Sequence, residues 1–95
     1  MQYYVYILLS FNKKSRPITY VGYTKDIKKR LELHNNSKGA KFTRGRNWKI
    51  IYKKSYKNKS IAMKNEYLLK MNRSLRNKIK NNYLNKNENF NFITL

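Results

Sequence analysis

Apolar and polar positions do not alternate at the start of this chain. Tyr3-Tyr4-Val5-Tyr6-Ile7-Leu8-Leu9 is an unbroken run of aromatic, β-branched and aliphatic side chains, which predicts a strand buried on both faces. Side chains alternate along a strand, so Tyr4 and Tyr6 share one of those faces. A polar, basic stretch from Ser10 to Pro17 follows, and Ile18-Thr19-Tyr20-Val21-Gly22-Tyr23 reads as a second strand, most economically the partner of the first in a hairpin. Asp26 can cap a helix reaching about Asn35, with Ile27 and Leu31 packing inward and Lys28, Lys29 and Glu32 facing water. Arg30 and His34 lie four apart and project from one side of it. Asn36 to Asn47 is a Gly-containing basic loop, and Trp48 to Tyr56 predicts a third strand with Trp48, Ile50 and Tyr52 on one face. Ser60 can cap a helix reaching about Met71, in which Ala62, Glu66 and Leu69 share a stripe with Met63 and Tyr67 beside it. Ser74 can cap a third helix, with Leu75, Ile79 and Tyr83 recurring every four residues, before an Asn-rich tail containing Phe90, Phe92 and Ile93.

The elements add up to one α/β (α+β) domain: a small antiparallel three-stranded sheet flanked by helices over residues 1–83, followed by a tail, 84–95, that docks or frays. A chain of 95 residues has room for a single core and no second catalytic domain.

Composition narrows the function. Lys and Arg number 23 against four acidic residues, a formal net charge of +19. That excess is self-repelling unless a polyanion offsets it, so DNA is the expected partner and RNA a second candidate. AT-rich coding also yields Lys and Asn, so the charge supports this reading without proving it. The absence of cysteine excludes a disulfide framework and Cys-ligated zinc or iron–sulfur centres. No run has the order of a signal peptide or approaches the roughly 20 apolar residues of a membrane span. The expectation is a soluble cytoplasmic protein, free to associate with the nucleoid, with no membrane partner. A protein partner or homo-oligomer is left open.

At this point Val5-Tyr6-Ile7 and Tyr20-Val21-Gly22 resemble the paired triplets of the GIY-YIG endonucleases. Thr24-Lys25-Asp26-Ile27, Lys29-Arg30-Leu31 and His34-Asn35 are similar to that family's first helix, and Asn65-Glu66-Tyr67 to its metal-binding segment. The stretch Gly39 to Arg46 resembles the small stand-alone bacterial members, and is also similar to the catalytic part of structure-specific junction nucleases. The likeness spans roughly residues 3–80. Val5 stands where the family has Gly and Val21 where it has Ile, with both tyrosines kept. For the late Asn of longer members, Asn72 and Asn77 are both candidates.

The resemblance implies a divalent-metal-dependent endonuclease acting on single-stranded or branched DNA in repair or recombination. Tyr6 is then the expected general base, and Tyr20 positions the water or phosphate. Arg30 clamps a phosphate oxygen with its planar fork, and His34 relays a proton or contacts phosphate. Glu66 holds one Mg²⁺ or Mn²⁺, whose remaining positions fall to water and phosphate. Lys38, Lys41, Arg44 and Arg46 would track the DNA backbone without reading its sequence. Phe42 or Trp48 could stack on an unpaired base, although packing is the commoner use of such residues.

Each residue alone has a plainer reading: Tyr6 and Tyr20 as core tyrosines, Arg30 and the loop cations as solvated charges, His34 as a surface histidine, Glu66 as a salt-bridge partner. Their joint occurrence favours the nuclease. The alternative is a non-catalytic nucleic-acid-binding module of the same fold, and size and charge alone would also suit a ribosome-associated basic protein.

Overall fold

The central strand is β1 (Tyr3–Ser10), and the sheet order is β2-β1-β3 with both pairings antiparallel. In the computed structural model, which describes residues 2–12 and 16–86, β2 spans Thr19–Thr24 and β3 Trp48–Tyr56. Three helices complete the fold: α1 (Ile27–Asn35), α2 (Lys59–Met71) and α3 (Arg73–Lys86), with a single 3-10 turn at Lys41–Thr43 between α1 and β3. Every side chain from Val5 to Ser10 is buried, as the unbroken apolar run requires, because helices cover both faces of β1. On one face Tyr6, Leu8 and Trp48 pack with Tyr20, Ile27, Leu31 and Ile50. On the other, Val5, Ile7 and Val21 pack with Ala62 and Leu69 of α2, joined by Tyr52 and Ile79.

The third strand departs from its expected pattern. Leu8 faces Ile50 and Ile7 faces Tyr52, so Ile51 is an extra residue in β3 and forms a bulge. One inserted residue exchanges the faces of everything beyond it. Trp48 and Ile50 therefore join the Tyr6 face, whereas Tyr52 joins the Val5 and Ile7 face, and the three do not share a side.

Two helix caps also fall elsewhere than expected. Asp26 caps α1 as read, its carboxylate accepting from the Lys29 amide at 3.1 Å. For α2 the cap is Asn58, whose carboxamide oxygen accepts from Ile61 N at 2.8 Å, and Ser60 lies inside the first turn. Asn72 serves α3 in the same way through Leu75 N at 3.1 Å, leaving Ser74 within the helix. Asn and Ser are nearly equal as caps, so position decides: Asn58 is the residue with extended backbone immediately before the helical turn. The tail is described only through Lys86, where α3 ends; Phe90, Phe92 and Ile93 lie outside the described residues. No helix among the described residues is long and apolar enough to cross a membrane.

Candidate active site

Register brings the two triplets together. Tyr6 lies opposite Gly22 and Leu8 opposite Tyr20, so both tyrosines project from the same face of the hairpin. Gly22 is the residue that permits this: a Cβ there would sit 2.5 Å from the Tyr6 hydroxyl oxygen and 3.2 Å from the Tyr20 ring. The phenol of Tyr6 lies directly over the glycine, and its residue is only 2% exposed.

From that position the Tyr6 hydroxyl reaches His34 Nε2 at 3.0 Å. The imidazole is fully buried, and its other nitrogen, Nδ1, lies 2.8 Å from Thr43 Oγ1. Thr43 Oγ1 in turn donates to the carbonyl of Ala40 at 2.8 Å. The threonine has one proton and gives it to a carbonyl that can only accept, so Nδ1 carries the imidazole proton and donates to Thr43. His34 Nε2 is then bare, and Tyr6 donates to it. The result is a directed chain from Tyr6 through His34 and Thr43 to Ala40. Gly39 completes the enclosure, since a Cβ on it would strike the His34 ring. Asn35 anchors the end of α1 by accepting from Trp48 N at 2.7 Å and donating to Trp48 O at 3.2 Å.

Burial pushes the Tyr6 hydroxyl up to about 12 despite the opposing influence of Arg30. Burial also holds His34 down at about 4, and the positive charge of Arg30 adds to that shift. Both members of the pair are therefore neutral near pH 7, with the Tyr6 hydroxyl donating to His34 Nε2. Tyr20 is less enclosed. Its ring lies 5.1 Å from that of His34 and 6.4 Å from that of Trp48, and it stacks on Phe42 at 6.1 Å with an interplanar angle of 23°. It lines a cleft at the free edge of β2 with Thr19, Val21, Phe42, Lys70 and Arg76.

Arg30 and Glu66 approach from α1 and α2, and the charge of each is felt at the Tyr6 hydroxyl. Tyr6 and Tyr20 thus both touch His34, and Arg30 and Glu66 lie near enough for their charges to act on the Tyr6 hydroxyl. Arg30 Nε is buried and has no hydrogen-bond partner, an unsatisfied donor suited to an anion. The Glu66 carboxylate meets Lys70 only at 3.9 Å, and its side chain is 17% exposed. No group of three or more His, Cys, Asp or Glu side chains gathers among the described residues, so a fully protein-ligated metal cage is not available there. A lone, partly exposed carboxylate does suit a largely hydrated magnesium-type ion. Lys38, Lys41 and Arg44 are exposed and Arg46 half-buried along the loop.

Of the two late asparagines, Asn72 is committed to capping α3 and Asn77 is exposed. The residue of that segment that reaches the tyrosine side is Arg76, whose Nη1 lies 3.4 Å from Thr19 Oγ1. Sequence reading passed over Arg76, Gly39 and Thr43. Only the helical spacing from the Asn72 cap could have indicated the first, and nothing local marks the other two as partners of His34.

Residues 2–89 match the family model of the GIY-YIG catalytic domain. The chain is 44% identical over 70 residues to a UPF0213 protein of Oceanobacillus iheyensis, covering 73% of this chain and 77% of that protein. It is 40% identical over 76 residues to a UPF0213 protein of Streptococcus pneumoniae serotype 4, covering 79% and 74%. Among solved structures, the solution NMR structure of a UPF0213 protein from Bacillus halodurans matches with 35% identity over 85% of this chain and 84% of that one, at a TM-score of 0.46. The two triplets on their paired strands, together with the matched family model, make this chain a member of the GIY-YIG catalytic-domain family, among its small UPF0213 proteins.

Proposed function

We propose that the protein is a divalent-metal-dependent endonuclease that hydrolyses phosphodiester bonds in single-stranded or branched DNA, in the cytoplasm, during repair or recombination. The observation that carries this reading is the grouping of Tyr6 and Tyr20 around His34, with the charges of Arg30 and Glu66 close to the Tyr6 hydroxyl and a buried Arg30 Nε left without a partner. A nuclease-type family and a net charge of +19 support a nucleic-acid substrate.

Roles follow from access. Tyr20, facing the edge cleft, positions the attacking water. Tyr6, enclosed and donating to His34, holds the frame on which Tyr20 and the phosphate are placed. Arg30 offers its orphaned donor to a non-bridging phosphate oxygen. Glu66 would hold one Mg²⁺ or Mn²⁺, which when bound supplies charge neutralisation at the phosphate and the leaving oxygen. Lys38, Lys41, Arg44 and Arg46 bind backbone outside the scissile step.

The test is cleavage of end-labelled single-stranded, duplex and branched DNA in Mg²⁺, Mn²⁺ or EDTA by the wild type and by Tyr20→Phe, Tyr6→Phe and Glu66→Gln proteins. Metal-dependent cutting abolished by Tyr20→Phe and Glu66→Gln, with binding retained, is the expected result. Binding without cutting on every substrate would instead make the protein a non-catalytic nucleic-acid-binding module.

A further inference from the structure

The cleft beside Tyr20 has a volume of about 320 Å³ and lies at the free edge of β2, lined by Thr19, Tyr20, Val21, Phe42, Lys70 and Arg76. Its two ends differ in chemistry. At one end Phe42 is 57% exposed, with its ring stacked against Tyr20. The flanking Lys41 is also exposed. An exposed phenylalanine in a chain of mean hydropathy −0.91 leaves an aromatic surface open to water in a strongly basic setting. At the other end stands Arg76, from the first turn of α3. Its Nη1 makes only a long contact to Thr19 Oγ1 at 3.4 Å, and its Nε is buried with no hydrogen-bond partner. Lys70 also lines the cleft and is linked to Glu66 at 3.9 Å, one helical turn away. Among the described residues, no carboxylate lines the cleft.

A flat aromatic surface, an unsatisfied guanidinium donor and a lysine suit a ligand with a planar ring and an attached anion. We propose that this cleft binds one unpaired nucleotide of single-stranded DNA, its base extending the Tyr20–Phe42 stack and its phosphate meeting Arg76 and Lys70. Stacking on an aromatic side chain accepts any base, whereas a base within a duplex must leave its own stack to reach the cleft. The cleft therefore selects strands with free bases and sets the neighbouring phosphate beside Tyr20 and Glu66. This rests on the nuclease reading only for the meaning of that placement; the binding event stands by itself.

The experiment uses the full chain in EDTA, so that no strand is cut. Binding is measured for a short single-stranded DNA, the same strand carrying abasic sites, and the corresponding duplex. The wild type is expected to prefer the base-bearing strand over the abasic one by on the order of tenfold, and to quench or shift the emission of a 2-aminopurine base held on Phe42. Phe42→Ala should abolish both the preference and the spectral change, and Phe42→Trp should keep them. Arg76→Ala should weaken base-bearing and abasic strands alike. Thermal melts establish that each variant is folded. Equal wild-type affinity for base-bearing and abasic strands, or a Phe42→Ala loss of the same size on duplex, would overturn the proposal. Discrimination in EDTA without any metal-dependent cutting would leave the cleft standing and remove the nuclease assignment; cutting without discrimination would remove the cleft alone.

Discussion

His34 occupies an interior site with both ring nitrogens engaged, and its protonation is tied to folding. Its folded value, about 4, lies below the ordinary value of 6.5, so the unfolded chain binds the proton more readily. Stability from this group is complete above about pH 6.5 and is lost as pH falls toward 4. Between pH 6.5 and 5 we expect a loss of about 1–2 kcal/mol, measured by urea unfolding at stepped pH. The chain has one histidine, so a His34→Gln protein should lack that slope although less stable at neutral pH. Imidazole nitrogen NMR should show the proton on Nδ1; a proton on Nε2 would reverse the direction of the chain from Tyr6. At Gly22 the added methyl of Gly22→Ala would press on the Tyr6 phenol. Displacing Tyr6 from His34 in this way should destabilise by about 1–3 kcal/mol and lower cleavage.

Among the elements, the caps at Asn58 and Asn72 divide the second half of the chain into two helices and so determine which side chains face the sheet. Asn58→Ala should lower stability by about 1 kcal/mol, whereas Ser60→Ala, inside the first turn of α2, should change it little. Equal effects in denaturant titrations would return the cap to Ser60. The three sheet elements were legible as sequence because each is rich in β-branched and aromatic residues. The phase of β3 was not legible. Ile50, Ile51 and Tyr52 are all β-formers, and only pairing against β1 shows that Ile51 is the inserted residue.

For the whole molecule, the net charge of +19 means that binding should weaken steeply with salt. Each loop cation that contacts a phosphate contributes about 0.7–0.9 to the slope of log affinity against log salt. Replacing Lys38, Lys41 and Arg44 together by Ala should flatten that slope, with little change in stability because all three are exposed; fluorescence anisotropy across a salt series would show it. Glu66→Gln should leave the slope nearly unchanged while removing cutting, since it alters the proposed metal carboxylate and not the basic surface.

The sequence by itself determined the strands, the hairpin, the α1 cap and the family, because these depend on short-range patterns of apolar side chains, turn residues and the two tyrosine triplets. What surrounds Tyr6 and His34 came only from the tertiary structure. Burial depends on what lies above a side chain in space, and the neighbours that enclose Tyr6 and His34 come from Gly22, Gly39 and Thr43. Arg76 reaches the Tyr20 cleft by a contact spanning 57 positions of chain, a proximity that exists only once α3 has folded back toward the edge of β2.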